Sequence, residues 1–391
     1  MSAAALRVGI VAGEHSGDQL GAALIAALRE RCGTLECFGV AGPKMVAAGC
    51  QAWAPSESLS VMGLAEVLRH LPRLLRLRRE LTRRFTAARP DVFVGIDSPE
   101  FNLTLSRRLK RAGIRCVQYV SPQVWAWRQG RVRTIGRDSD LVLCLLPFES
   151  SYYEQHGVPA QFVGHPLADQ IPLEVDAAAA RRALGLAPGR MIALLPGSRL
   201  AEVSRLARPF AAAAAWIQAR RPEFTFLAPM ASEAVRECFE RELAQAPERT
   251  DILLVEGQAQ RVLAAADAAI VASGTATLET LLSGKPMVVG YKGSWLTFLL
   301  VRMFGLVKVP YFSQPNLLAG RRLVPEFLQG QVSGAALGAA LLAELDDAVH
   351  LAQLRGEFAR IHRTLRLGGA QRAAAAVLAC AGRAGGGTSI G

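Results

Sequence analysis

The sequence predicts an α/β protein made of two doubly wound, Rossmann-like domains facing each other across a cleft. Three observations carry that expectation. Val/Ile/Leu-rich runs without polar alternation recur along the chain, as in parallel strands covered on both faces. Helical patterns separate them. The runs also fall into two sets, each opening with a strand that leads into a glycine-containing turn, with a proline-bearing stretch between the sets.

In the first set the strand-like runs are Leu6–Ala12, Leu35–Val40, Val92–Ile96, Arg115–Val120, Leu141–Leu146 and Gln161–Val163. In the second they are Met191–Leu195, Thr225–Ala228, Ile252–Val255, Ala268–Val271 and Met287–Gly290. The stretch from His165 to Ala180 carries prolines with acidic or small residues and reads as a hinge. These boundaries give an N-terminal domain over 1–170 and a C-terminal domain over 171–355. A C-terminal helix over 356–381 is expected to pack back on the first domain or onto a partner, so a homodimer stays open. The Gly-rich tail 382–391 is expected to be disordered.

At 391 residues the chain has ample length for two cores, and its formal charge of +12 points to anionic partners. Nucleic acid is not the expected one: there is no zinc spacing, no aromatic RNA-binding strand, and only 6% aromatic residues. Much of the excess charge lies in Arg69, Arg73, Arg76, Arg78, Arg79, Arg83 and Arg84, opposed by Glu80. Val61, Met62, Leu64, Leu68 and Leu74 interleave with them at helical spacing. A basic face beside an apolar one suits either a solvated helix or an anionic membrane surface. Seven cysteines without paired spacing fit reduced thiols in a cytosolic protein. Leu6–Val11 is too short for a signal peptide, and Ser294–Phe312 falls short of a membrane span because Arg302, Lys308 and Pro310 interrupt it.

Ligands collect at the carboxyl ends of parallel strands. After the first strand comes Gly13-Glu14-His15-Ser16-Gly17-Asp18. It has neither the dinucleotide fingerprint nor a P-loop lysine, and it serves equally as a helix cap. Asp97 follows a later strand in Gly95-Ile96-Asp97-Ser98-Pro99-Glu100-Phe101-Asn102, where a proline-held carboxylate suits a general base or a turn. Ser121-Pro122-Gln123-Val124-Trp125-Ala126-Trp127 places aromatic rings where they suit sugar stacking or core packing. His165 suits a ligand contact or a structural hydrogen bond.

In the second domain Gly197-Ser198-Arg199, with Glu202 beyond, offers backbone donors and a guanidinium that can fork onto a pyrophosphate. Ser273-Gly274-Thr275-Ala276-Thr277 is a second turn of the same kind, its N–H groups at the positive end of a helix. Glu279 lies one turn on, where it suits a sugar hydroxyl. Asn316, Glu326 and Gln329 add amides and a carboxylate on loops. Two phosphate-suited turns in one domain favour a nucleotide. No Asp-x-Asp, His-x-x-x-His or cysteine cluster points to a metal.

From about residue 6 to about 370, these segments together resemble the lipid-A-disaccharide synthases, inverting glycosyltransferases of the GT-B fold. The Ser-Pro-x-Val-Trp-Ala-Trp and Ile-Asp-x-Pro segments are the specific part of the likeness; the nucleotide-side turns are shared more widely among GT-B enzymes. His15 departs from the pattern, where a smaller residue is expected. The resemblance implies that UDP-2,3-diacylglucosamine is joined to 2,3-diacylglucosamine 1-phosphate, giving a β-1,6 disaccharide and UDP. It implies no cofactor and no metal, and a place on the cytoplasmic face of the inner membrane. By it, Asp97 is the base. Gly197, Ser198, Arg199, Glu202, Ser273, Gly274, Thr275, Ala276, Thr277, Glu279, Asn316, Glu326 and Gln329 hold UDP. Ser16, Gly17, Asp18, Asn102, Ser121 and Trp125 meet the acceptor or its sugar, and Val61, Met62, Leu64, Leu68, Arg73, Leu74 and Arg76 meet acyl chains or membrane. The alternatives are a UDP-GlcNAc 2-epimerase, another GT-B transferase, or a non-enzymatic basic membrane-binding module.

Overall fold

A computed structural model describes residues 5–13, 15–59, 64–125, 129–246, 250–293 and 310–382. Its contacts divide the chain into two compact units. One comprises the residues up to Asp169 and from Leu365 onward; the other is Gln170–Thr364.

The first unit runs β1 (Leu6–Ala12), α1 (His15–Arg31), β2 (Leu35–Ala41), α2 (Pro43–Ala47), β3 (Gln51–Pro55), α3 (Leu64–Ala88) and β4 (Val92–Ile96). It continues through α4 (Pro99–Arg111), β5 (Arg115–Tyr119), α5 (Val132–Asp138), β6 (Leu141–Cys144), α6 (Pro147–Glu154) and β7 (Ala160–Phe162), with α7 (Pro166–Gln170) at its border. The strands form one parallel sheet in the order β3-β2-β1-β4-β5-β6-β7. All five residues of β4 are buried, as continuous apolar runs require when helices cover both faces. On one face Leu24 and Leu28 of α1 pack with Val8, Ile10 and Val94; on the other Leu81 and Phe85 of α3 pack with Val11, Phe38 and Phe93.

The second unit runs α8 (Ala177–Ala183), β8 (Arg190–Leu195), α9 (Leu200–Gln218), β9 (Phe224–Met230), α10 (Glu233–Ala244), β10 (Ile252–Glu256), α11 (Ala259–Ala265) and β11 (Ala268–Ala272). Then come α12 (Thr275–Leu282), β12 (Met287–Tyr291), α13 (Gln314–Ala319), β13 (Glu326–Leu328), α14 (Gly334–Asp346) and α15 (Ala348–Leu365). Its parallel sheet has the order β10-β9-β8-β11-β12-β13. Both sheets therefore reverse direction beside their first strand, between β1 and β4 and between β8 and β11. Those two switch points are where open α/β sheets bind ligands.

Two strands go beyond the sequence reading, β3 and β13. Both are edge strands. Every residue of each is exposed or half-buried, so neither carries the apolar run that marks an interior strand. Residues 325–329, expected on a loop, thus include the outermost strand of the second sheet. The C-terminal stretch read as one helix over 356–381 is two: α15 ends at Leu365, and α16 spans Gly369–Cys380. Gly368 turns left-handed between them at φ 66°, and the Asp169 carboxylate accepts the N–H groups of Gly368 and Gly369 at 2.9 and 2.7 Å. Ala373, Ala374 and Val377 of α16 lie in the same core as α1.

No described helix is long and apolar enough to cross a membrane. Val61, Met62, the side chains of Leu64 and Leu68, most of the 294–312 stretch and the tail beyond Gly382 lie outside the described residues. Within α3, Leu74 is half-buried, whereas Arg73 and Arg76 are exposed. Arg84 stacks on the Trp53 ring at 4.2 Å.

Candidate active site

In the first unit the switch point brings the β1 turn against the β4 turn. Gly13 leaves the room this needs, since a Cβ there would lie 2.4 Å from Ser98 Oγ. Asp97 and Ser98, at the end of β4, both take left-handed backbone, with φ 51° and 40°. Val120, at the end of neighbouring β5, does the same at φ 76°, which is costly for a β-branched side chain. Strained backbone of this kind persists only where the surroundings over-determine it. Burial raises the Asp97 carboxyl above the usual carboxylate range, partly offset by the Ser98 N–H. A partly buried carboxylate with a raised pKa at a strand end has the character of a general base.

The other first-unit candidates divide by what already holds them. Ser16 is exposed in the first turn of α1, which begins at His15; Glu14 lies outside the described residues. Gly17 packs on Ala12 and Ile96. Asp18 is buried, and its carboxylate accepts the N–H groups of Lys44 and Met45, each at 2.9 Å, so it secures the start of α2. Asn102 is fully buried and donates to the carbonyls of Ile96 and Asp97 at 3.1 and 2.8 Å. The Ser121 hydroxyl is buried against Pro122 O and Tyr153 OH. Trp125 is half-buried, stands edge-on to Phe148, and donates from its indole N–H to Glu149 at 3.1 Å. Trp127 lies outside the described residues. His165, pushed down to about 4 by burial, accepts the Leu167 N–H at 3.2 Å.

Glu149 went unnoticed in the sequence. It is buried at the start of α6, where it also accepts the Leu146 N–H at 3.1 Å, and burial pushes it up to about 7. Its position under the Ser-Pro-x-Val-Trp loop comes from β6 lying beside β5, which no local pattern encodes.

In the second unit the turns after β8 and β11 open into one cavity of about 500 Å³. Gly197, Ser198, Arg199, Glu202, Ser273, Gly274, Thr275, Ala276 and Glu279 line it. The size and chemistry suit a nucleotide diphosphate. Gly274 precedes α12 at φ 146°, ψ −156°, a conformation open to glycine. The N–H groups of Thr275 and Ala276 then head the helix without intrahelical acceptors, directed as an anion site requires. The Arg199 side chain is 67% exposed and 3.9 Å from Glu202, so it is free to turn onto a ligand. Burial raises the Glu279 carboxyl. The cavity also takes in Gly257 and Gln258 from the end of β10. That strand is legible in the sequence as an apolar run; the turn beyond it carries no phosphate-site motif.

Four candidates of this unit support the cavity from outside its lining. The Thr277 hydroxyl donates to Gly274 O and accepts the Gln314 N–H, at 2.8 and 3.2 Å. Asn316 is fully buried; its amide donates to Val324 O and Glu326 and accepts the N–H groups of Leu323 and Val324. Glu326 further accepts the N–H groups of Phe312 and Ser313. Gln329 accepts the Gly293 N–H at 3.0 Å. Because Ser273 Oγ donates to Phe312 O at 3.0 Å, this network braces the phosphate-suited turn. Among the described residues, no group of three or more His, Cys, Asp or Glu side chains is placed to hold a metal ion.

The family model for lipid-A-disaccharide synthetase matches residues 8–377. The lipid-A-disaccharide synthase of Alkalilimnicola ehrlichii is 55% identical over 380 residues, covering 96% of this chain and 99% of that one. Among solved structures, the calicheamicin glycosyltransferase CalG4 aligns over 97% of this chain and 99% of its own, with TM-score 0.59 and 17% identity. A UDP-GlcNAc 2-epimerase from Neisseria meningitidis aligns over 96% and 98%, with TM-score 0.60 and 10% identity. The structural likenesses show a shared GT-B fold and nothing finer. At 55% identity along almost the whole of both sequences, descent decides what the fold leaves open, and the chain belongs to the lipid-A-disaccharide synthetase family.

Proposed function

We propose that this chain transfers a 2,3-diacylglucosamine unit from UDP to the 6-hydroxyl of 2,3-diacylglucosamine 1-phosphate, with inversion, releasing UDP. The observation that supports it most is the single cavity shared by both phosphate-suited turns and Glu279. There Arg199 and the N–H groups of Thr275 and Ala276 meet the negative charge that grows on the departing diphosphate; preorganised donors act most strongly at such a point. Glu279 holds the ribose. No metal is assigned to the reaction.

Asp97 takes the proton of the acceptor hydroxyl as its oxygen attacks the anomeric carbon. The hydroxyl oxygen bonds to that carbon, the bond to the diphosphate oxygen breaks, and one displacement turns the α-linked donor into a β-linked product. Ser16 and Trp125 are the acceptor-side residues still presented to a ligand. Asp18, Asn102 and Ser121 serve through the backbone they hold. The basic, apolar α3 rests on an anionic membrane surface, placing the enzyme at the cytoplasmic face of the inner membrane.

Incubation with both acylated sugars tests the reading. UDP and a β-linked disaccharide should appear together. UDP-GlcNAc turned over without acyl chains would favour the epimerase alternative, and liposome binding without UDP release would favour a membrane-binding module. Membership of a transferase family weighs against both.

A further inference from the structure

Gln118 is a fully buried amide in β5, an interior strand where Cys116, Val117 and Tyr119 are buried around it. Its Nε2 lies 3.2 Å from Asp97 O, 3.3 Å from Val120 O and 3.5 Å from Tyr119 O. All three partners are carbonyls, so the amide must turn its NH2 toward them. Asn102, on α4, brings a second NH2 to Asp97 O from another side. Two side-chain amides thus converge on one main-chain carbonyl, which has two lone pairs to offer.

The amide oxygens are left over. Gln118 Oε1 and Asn102 Oδ1 are both buried and accept no hydrogen bond among the described residues. Buried acceptors without donors are unfavourable, and native structures keep few of them. Here the unfavourable ends belong to the two side chains whose other ends grip Asp97. The backbone they grip is itself strained: Asp97, Ser98 and Val120 are three of the six non-glycine residues with positive φ among the described residues. Gln118 also reaches both strained segments, the Asp97 turn and the Val120 end of the Ser121–Trp125 loop.

We infer that Gln118, with Asn102 as its partner, is a positioning residue that fixes the Asp97 carboxylate relative to the acceptor-side loop. The inference rests on the reading of Asp97 as the base. A base must stand within hydrogen-bond reach of the proton it takes, and misplacement of about 1 Å suppresses turnover by about 100-fold. The nucleotide cavity belongs to the other unit, so loosening this clamp should leave UDP binding alone.

Gln118→Met keeps length and burial while removing the donors. The expected result is kcat lowered by about 100-fold, with KM for the UDP-sugar and calorimetric UDP affinity unchanged. If that variant folds poorly, Gln118→Met combined with Val120→Gly removes the left-handed strain the clamp restrains, and the loss of kcat should persist in the refolded protein. Turnover within a few-fold of wild type in either folded variant, or a loss carried by KM alone, overturns the inference. Asp97→Asn is measured alongside: if it stays active, the base reading fails instead.

Discussion

The Asn316 amide donates to Glu326 Oε1 at 2.9 Å, and this bond joins α13 to β13, the outermost strand of the second sheet. Every hydrogen-bonding position of the Asn316 side chain is occupied, by the backbone of Leu323 and Val324 and by the Glu326 carboxylate. The residue braces the structure behind the phosphate-suited turn and is not among the residues that line the cavity.

Asn316→Ala should therefore act on stability first. It strands the buried N–H groups of Leu323 and Val324, each lost bond costing about 1–3 kcal/mol. Thermal unfolding should shift down, with UDP affinity falling only as the 273–277 turn loosens. A large affinity loss with no change in stability would mean a direct ligand contact.

Asp97→Asn should abolish turnover while UDP still binds. The wild-type rate also carries a sign. A base works deprotonated, and burial raises the Asp97 carboxyl, so the rate should fall with acidity at a pH above the ordinary carboxylate range. A pH–rate profile with its acid limb near pH 4 or below would contradict this.

Arg199→Ala should weaken UDP binding by about 10–100-fold, about 1–3 kcal/mol as for a charge-assisted hydrogen bond. Lysine, a point charge without the planar fork, should restore only part of that. Titration calorimetry separates the three proteins. Equal UDP affinity in all of them would remove Arg199 from the donor pocket.

Gly274→Ala tests backbone conformation alone, because a Cβ there meets nothing within 4 Å. At φ 146° the alanine is strained, by about 1–3 kcal/mol. Relief by rotation would swing the first N–H groups of α12 away from the cavity. Stability, UDP affinity or both should drop; an unaffected variant would show that the turn tolerates another conformation.

Glu149 gives a prediction about stability and pH. Its folded value of about 7 lies above the ordinary carboxyl value of 4.5, so the folded state holds the proton more tightly. Its contribution favours folding below about pH 4.5 and is lost as pH rises through about 7, amounting to about 3 kcal/mol. Relative to Glu149→Gln, the wild type should lose stability across that window in denaturant titrations. Parallel pH curves for the two proteins would refute the buried-acid reading.

How much of this was legible beforehand differs by element. The interior strands and the turns after β1, β4, β5, β8 and β11 were readable, because helices covering both faces force continuous apolar runs and strand ends demand small or polar residues. The edge strand β10 was readable too, from its apolar run; β3 and β13 were not, because Gln51–Pro55 and Glu326–Leu328 carry no continuous Val/Ile/Leu run. The list of polar candidates was readable too, though not their duties. Asp18, Asn102, Thr277, Asn316 and Glu326 have the same chemistry whether they face a ligand or hold a loop.

The sequence by itself determined the two parallel sheets, the phosphate-suited turns and the basic helix, since each follows from periodicity or local composition. Only the tertiary structure decided the strand orders, and with them which turns meet at a switch point. It also decided that Gln118, an unremarkable polar residue in an apolar run, lies against the Asp97 carbonyl. Those are contacts between segments distant in the chain, and the hydrogen bonds that assign each polar group its task exist only once the segments have packed.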